Sequence, residues 1–232
     1  MIFNETVKSD SNPVDRTEKF MFDGERLIQH IIKQRYFEEE ISDEVNLSYS
    51  DNQVTVTTDY LTLIYTLNSE GYASQCVYSL SSQNRIYHFS YSAEGYLTGI
   101  VENIDDTEYS STSLTYENGD ITSISSKMNG LENKFIYEPG EESSKYHLPC
   151  LGLLEIHPLT FHIEALYAGL LGKDPRHFTI RSCPAGSNDE KTVYSYGFDK
   201  KGNPSRMICQ TTYAGGQASY YPYTRNISIS FE

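Results

Sequence analysis

Apolar and polar residues alternate along short stretches of this chain, and turn-forming residues separate one stretch from the next. Between Ile86 and Tyr91 every second residue is aromatic, so the rings fall on one side of an extended backbone. The Asn-Gly pairs at residues 118–119 and 129–130 favour type I′ turns, whose twist matches that of two flanking strands. The pattern therefore predicts short antiparallel strands, each turning back beside the one before it.

A short phrase also recurs along the chain. Gly71, Gly95 and Gly119 stand at intervals of 24 residues, and Gly202 begins a similar phrase. After each glycine come a free position, a small or apolar residue, a hydroxyl residue, a second free position and an apolar residue. Glycine adopts positive φ without strain, so the phrase is typical of a turn that leads into a strand. Each 24-residue unit then holds about two strands, which makes the repeat a property of the architecture.

The repeat stops between residues 138 and 177, where prolines and glycines interrupt it. Apolar residues from Leu159 to Leu171 follow a helical period and predict a helix from near Pro158 to about Gly172. We expect an all-β fold: an antiparallel meander of roughly ten or more strands, curled into a barrel or half-barrel, with one short capping helix.

Two segments near the start are less regular. Residues 1–19 are polar and predict a tether, which leaves residues 20–232 as a single barrel-like domain with its helical insertion near 158–172. Residues 25–40 have apolar positions that also suit an amphipathic helix, but their place in the meander favours a strand.

The net charge of the chain argues against two classes of binding partner. The 32 acidic and 18 basic residues give a formal charge of −14, with no block of five or six like charges. This field repels nucleic acid and an anionic membrane surface, so neither is an expected partner. No apolar run is long enough for a spanning helix. Cys76, Cys150, Cys183 and Cys209 form no Cys-x-x-Cys pair, and buried free thiols are favoured over one or two disulfides.

The last third of the chain carries a resemblance. Tyr194 to Pro204 reads Tyr-Ser-Tyr-Gly-Phe-Asp-Lys-Lys-Gly-Asn-Pro, and Leu170-Leu-Gly-Lys173 precedes it. With the upstream glycine repeats, this order resembles a domain-of-unknown-function family with a porin-like fold, found in predicted lipoproteins of Bacteroidetes. The likeness covers residues 20 to 231. It implies a curled antiparallel sheet and an export signal with a lipid-bearing cysteine outside this chain, hence a lipid-anchored protein of the cell envelope, facing the periplasm or on the cell surface. The family transfers no catalytic residue.

Histidines gather in the interrupted segment. His147, His157, His162 and His177 lie there with Glu155, Glu164 and Asp174, and imidazole and carboxylate are ligands of zinc or nickel. His157 and His162 are five residues apart, which puts them on different faces of a helix, so loop histidines without a metal are favoured. We expect no cofactor and no metal. An enzyme is not favoured, although a hydrolase at the helix-covered end, where these histidines and Cys150 lie, is the alternative.

Two aromatic rows are the candidate binding surface. They comprise Tyr87, Phe89 and Tyr91 on one strand and Tyr194, Tyr196 and Phe198 on another. Rings with hydroxyl tips can hold a sugar or an apolar ligand, but they can equally fill the concavity of a curved sheet, and that reading is favoured. The preferred function is a non-enzymatic binding or structural module of the cell envelope. Its partner would be a small molecule, a glycan or an envelope protein, and it would meet the membrane only through a lipid anchor.

Overall fold

The strands of this protein follow one another round a single sheet. The computed structural model describes residues 2–8, 14–36, 39–80, 83–143, 156–187, 190–212 and 223–231. The described residues form sixteen strands: β1 (Ile2–Lys8), β2 (Val14–Asp23), β3 (Arg26–Tyr36), β4 (Glu39–Tyr49), β5 (Gln53–Thr57), β6 (Thr62–Leu67), β7 (Ala73–Leu80), β8 (Gln83–Tyr91), β9 (Leu97–Ile104), β10 (Thr107–Glu117), β11 (Asp120–Met128), β12 (Leu131–Ser143), β13 (His177–Pro184), β14 (Lys191–Phe198), β15 (Pro204–Thr212) and β16 (Tyr223–Ser230). Each pairs antiparallel with its neighbours in sequence, so the predicted all-β meander is confirmed.

The first strand closes the sheet into a barrel. β1 pairs with β2 on one side and with β16 on the other, from Ile2 opposite Ser230 to Lys8 opposite Thr224. The prediction that residues 1–19 form a tether is therefore wrong for the described residues of that range. Their backbone N–H and C=O groups are satisfied by two neighbouring strands, and a strand with a wet face accepts a polar sequence.

The glycine repeats are turns, as predicted. Gly71, Gly95, Gly119 and Gly202 all have positive φ, between 81° and 91°. Three of these turns share a further feature, a polar side chain three residues before the glycine. Asn68, Ser92 and Asp199 each accept two backbone N–H groups of their own turn. The Asp-x-x-Gly spacing of the closing motif therefore places the Asp199 carboxylate where it accepts two backbone N–H groups of one tight turn.

Alternation along the strands separates an inner from an outer face. On β4, Val45 and Leu47 are buried inside, while Glu44, Asn46 and Ser48 are exposed outside. The segment that was ambiguous between helix and strand is β3, so the strand interpretation is confirmed.

Residues 156–176 leave the sheet and lie against its inner faces; we call this segment the plug. The plug contains a 3-10 helix, Leu159–Phe161, and one short α-helix, α1 (Ile163–Tyr167). Leu159 and Ala165 are fully buried, and the Tyr167 ring packs 4.1 Å from that of Phe20 on β2. The helical position is confirmed, but the predicted helix from Pro158 to Gly172 is too long, because His162 between the two helices has a non-helical backbone.

The repeat turns hold the plug where it returns to the sheet. The N–H of Ala73 donates to the Leu170 carbonyl, and the N–H groups of Lys173 and Arg176 donate to the carbonyls of Gly95 and Gly119. Successive repeats therefore contact the plug at intervals of three residues. In the described part of the chain, no helix is long and apolar enough to cross a membrane.

Candidate functional site

A fully buried carboxylate, Glu102 on β9, joins the plug to the barrel wall. His157 Nε2 lies 2.6 Å from Glu102 Oε2, and Ser110 donates to that same oxygen at 2.7 Å. The other oxygen lies 3.3 Å from both the Tyr87 hydroxyl and Arg85 Nη1. Burial raises the pKa of Glu102, but the hydrogen bonds from His157 and Ser110 and the Arg85 charge outweigh it and leave the pKa below its ordinary value.

This cluster contains a serine, a histidine and a carboxylate, but in an order that does not suit nucleophilic catalysis. A catalytic serine donates to the histidine, which the carboxylate orients from its far side. Here Ser110 and His157 both bond to Glu102 directly. The His157 carbonyl is also bound, by the hydroxyls of Thr112 and Ser126 at 3.0 and 3.2 Å. The arrangement fixes the plug in place rather than activating a hydroxyl.

A second histidine of the plug, His162, lies among aromatic rings. Its ring is fully buried and lies edge to face with Tyr87 and Phe89, at 4.5 and 5.2 Å between centroids. Burial lowers the pKa of His162 to about 3, so the ring is neutral, and its Nδ1 lies 2.8 Å from the Tyr65 hydroxyl, within hydrogen-bond distance. Cys76 bonds the same Tyr65 side chain. Burial raises the pKa of the Cys76 thiol to about 12, so the thiol stays protonated and is not a nucleophile.

Two further histidines pair with carboxylates. His30 on β3 lies between Glu164 of the plug, at 2.8 Å, and Glu18 of β2, at 3.0 Å. His177 lies 2.8 Å from Asp120. Within the described ranges no group of three His, Cys, Asp or Glu residues could hold a metal ion. His147, Cys150 and Glu155, which the hydrolase and metal hypotheses include, lie outside the described residues.

The barrel interior also contains a cavity of about 350 Å³, between the inner faces of β11 to β14. Its floor is the tip of the plug, Ile156 and His157, and its mouth lies at the Asn129-Gly130 turn, at the end of the barrel away from the glycine repeats. Apolar side chains on its wall include Ile124, Phe135 and Tyr137; hydroxyl groups come from Ser126, Ser182, Thr192 and Tyr194. None of its described lining residues is Asp, Glu, Lys or Arg. A neutral concave site with convergent hydroxyls is suited to binding a small molecule.

The first aromatic row faces the barrel interior and packs against the plug. Tyr87 and Phe89 surround His162, and the Tyr91 hydroxyl donates to the Ala73 carbonyl at 2.7 Å. These three rings fill space between wall and plug. Their role in holding a ligand stays a prediction.

The second row is divided. Tyr194 lines the cavity, and its hydroxyl lies 3.1 Å from that of Ser182. Tyr196 instead stacks on Phe178 at 4.7 Å and donates to the Thr179 carbonyl, while Phe198 packs near the same phenylalanine. The two rows are not on neighbouring strands, because β8 pairs with β7 and β9, and β14 with β13 and β15. Of the six predicted aromatics, Tyr194 is the one that lines the cavity.

Several residues of the interior escaped the sequence argument. Glu102 follows Ile100 at a spacing of two on a strand, so its side chain shares the buried face. A carboxylate at an inward position was the available signal for a buried polar cluster. The cavity residues gave no such signal, since Ser182, Thr192 and Asn133 are ordinary strand residues in a wet sheet.

The family model that matches this chain is the domain of unknown function with porin-like fold (DUF4595), which covers residues 17–206. This chain belongs to that family. The resemblance to the porin-like family in the sequence is therefore confirmed, and the closing Tyr194–Pro204 motif falls within the matched residues.

A solved structure shows the same fold over the whole chain. It is a porin-like protein from Bacteroides uniformis, 26% identical, with a TM-score of 0.91 over 100% of this chain and 96% of the other. No curated protein matches the chain at a significant level. Family and fold are thus established, and neither indicates an enzymatic activity.

Proposed function

We propose that this chain is a non-enzymatic binding module of the bacterial cell envelope, and that its ligand occupies the cavity above the plug tip. The observation that carries the proposal is the cavity itself, which is preformed, about 350 Å³ in volume and lined by both apolar groups and hydroxyls. Binding sites for small molecules have these properties, while the described polar clusters lack the geometry for catalysis.

Two observations support a location in the cell envelope: the likeness to a porin-like protein and the polar residues on the outer wall of the barrel. The similar barrel from Bacteroides uniformis is described as porin-like. Strands that face lipid carry apolar side chains outward, whereas β4 and β10 expose Glu44, Asn46, Ser113 and Thr115 there. This supports a barrel wall in water, with a lipid anchor outside the chain as its link to a membrane. Fractionation of the producing bacterium with an antibody tests this, and recovery in the cytosol would contradict it.

Blocking the cavity mouth tests the binding site. Asn133 lines the mouth on β12 and is exposed, so Asn133→Trp should obstruct the cavity without burying a new side chain in the core. Lys134, next to it, points outward, and Lys134→Trp is the matched control. Thermal denaturation with a panel of glycans, lipids and metals should show a stabilisation of about 2.7 kcal/mol at a ligand concentration of 100 times Kd.

The stabilisation should disappear in Asn133→Trp and persist in Lys134→Trp. A ligand that stabilises both variants equally binds elsewhere and would contradict the proposed site. Silence of the wild-type protein across the panel would favour a structural role or a protein partner over the cavity.

A further inference from the structure

We infer that the cavity ligand is a small, uncharged molecule carrying several hydroxyl groups, such as a single sugar ring or a cyclic polyol; this rests on the proposed function above. Three properties of the cavity point to this class of ligand: its volume, the absence of Asp, Glu, Lys and Arg from its described lining, and the polar groups on its wall.

Size limits the ligand first. Small-molecule sites have volumes of about 300 to 1,000 Å³, so a cavity of about 350 Å³ lies at the lower end. The plug closes it from below with Ile156 and His157. A single ring fits within this volume.

The described residues of the wall include no Asp, Glu, Lys or Arg that could pair with a charged ligand. None of the thirteen described lining residues is acidic or basic apart from His157, in a protein with 32 acidic and 18 basic residues. His157 uses its Nε2 to bond Glu102 at 2.6 Å, and Glu102 is also balanced by Arg85 behind the floor. A charged ligand would lose its hydration without gaining an opposite charge, which is costly.

The polar groups of the described wall are hydroxyls, the amides of Asn129 and Asn133 and the His157 ring, and three of the hydroxyls belong to close pairs. Ser182 and Tyr194 lie 3.1 Å apart, and Thr192 lies 2.9 Å from Thr211. Either member of each pair can be the donor, so the pair can present a donor or an acceptor to a neighbour. A ligand hydroxyl both donates and accepts, and it is the natural complement of such a pair.

Apolar groups complete the match. Phe135 and Tyr137 on β12 and Ile124 on β11 form the wall beside the hydroxyl pairs. A sugar ring has hydroxyls at its rim and C–H groups on its faces, so it can bond the pairs with its rim while a face packs on the aromatic wall.

Titration calorimetry on the full chain tests the class of ligand. The probes are glucose, galactose, mannose and myo-inositol, each against wild-type protein, with glucuronate and glucosamine as charged analogues of similar size. We expect at least one neutral probe to bind and the charged analogues to bind at least tenfold more weakly. Tighter binding of glucuronate or glucosamine would overturn the inference while leaving the cavity as the site.

Hydroxyl removal tests the contacts. Tyr194→Phe combined with Ser182→Ala deletes one pair and should weaken the neutral probe about tenfold. Tyr196→Phe is the matched control, because it lies on the same strand, faces the same side and lies outside the cavity lining; it should bind as wild type. Equal weakening by both would overturn the inference.

Failure of the inference and failure of the proposed function can be told apart. If only apolar or charged compounds of the broad panel bind, and Asn133→Trp abolishes their binding, the binding function stands and the ligand class is wrong. If no compound binds in a manner that Asn133→Trp abolishes, both are wrong.

Discussion

The plug-filled region of the barrel and the cavity beside it differ in the polar groups that they contain. Where the plug meets β2 to β10, ionisable groups are buried and paired, as Glu102 is with His157 and Arg85. Where β11 to β14 face the cavity, the polar groups are hydroxyls and asparagine amides, and no described lining residue is acidic or basic other than His157. The difference fits two roles: buried carboxylate–histidine contacts join the plug to the wall, and under the function proposed above the wall without acidic or basic strand residues would face a ligand.

Removing a buried charge should show this division most strongly. Glu102→Gln keeps the shape of the side chain but leaves the partly buried Arg85 without its counter-charge and His157 without its carboxylate partner. We expect a loss of about 3 to 5 kcal/mol in the free energy of unfolding. Urea denaturation followed by circular dichroism and tyrosine fluorescence measures it, since the chain has no tryptophan.

An exposed pair provides the control for this change. Glu138 bonds Arg181 at 2.6 Å on the outer wall, and both side chains are at least one-third exposed, at 49% and 34%. Glu138→Gln should cost about 1 kcal/mol or less. Equal losses in the two variants would mean that the Glu102 cluster does not fix the plug.

The two ends of the barrel also differ in how closely neighbouring atoms approach their turn glycines. Gly172 at the end of the plug and Gly130 at the cavity mouth both have positive φ, 89° and 78°. A Cβ on Gly172 would lie 2.6 Å from the Gly95 carbonyl oxygen, whereas one on Gly130 would meet nothing within 4 Å. Gly130→Ala should cost about 1 to 2 kcal/mol for the left-handed backbone, and Gly172→Ala about 3 kcal/mol or more with the added clash.

Thermal and urea denaturation of the two alanine variants measure the difference. Gly130→Ala controls for the backbone conformation alone, since its surroundings are open. If Gly172→Ala were no more destabilising than Gly130→Ala, the plug would not be held tightly against the repeat turns.

Local signals in the sequence were enough for the turns but not for the interior. Gly71, Gly95 and Gly119 identify their turns because positive φ is a property of single residues. The pairing of β1 with β16 joins the two termini of the chain, and no local pattern within residues 1–19 reports such a partner. Glu102 and His157 meet only because the plug folds back into the barrel, so their contact depends on the tertiary path.

The substitution Tyr→Phe, made at two positions, compares a hydroxyl that is fully buried with one that borders the cavity. Tyr65 is fully buried, and Tyr65→Phe would leave His162 Nδ1 without its hydrogen-bond partner. We expect a loss of about 1 to 3 kcal/mol. Tyr194 borders a cavity that water can enter, so Tyr194→Phe should cost about 1 kcal/mol or less. Urea denaturation of both variants measures this, and a greater loss for Tyr194→Phe would contradict the assignment of the dry region.

The smallest effect should be the pH dependence of the plug contact at His30. Burial lowers the pKa of His30, but the hydrogen bonds to Glu164 and Glu18 outweigh it and leave the pKa raised above 6.5. The charges that face His30 are these two carboxylates and, through Glu18, that of Arg16. The stabilisation that protonated His30 gives to the folded state is therefore fully present below pH 6.5, and it is lost as pH rises through the raised pKa of His30 in the folded protein.

The carboxylate side of the same contact limits the window from below. Burial raises the pKa of Glu18, but the His30 hydrogen bond and the Arg16 charge leave it lowered, so its contribution is lost as pH falls below 4.5 through the lowered pKa. The advantage of wild-type protein over His30→Gln in the free energy of unfolding should therefore shrink from pH 6 to pH 9. His88→Gln, an exposed histidine on β8, is the control and should show no such trend. A constant advantage across this range would show that His30 is not charged in the folded protein, and the plug would then be held at β3 by neutral hydrogen bonds.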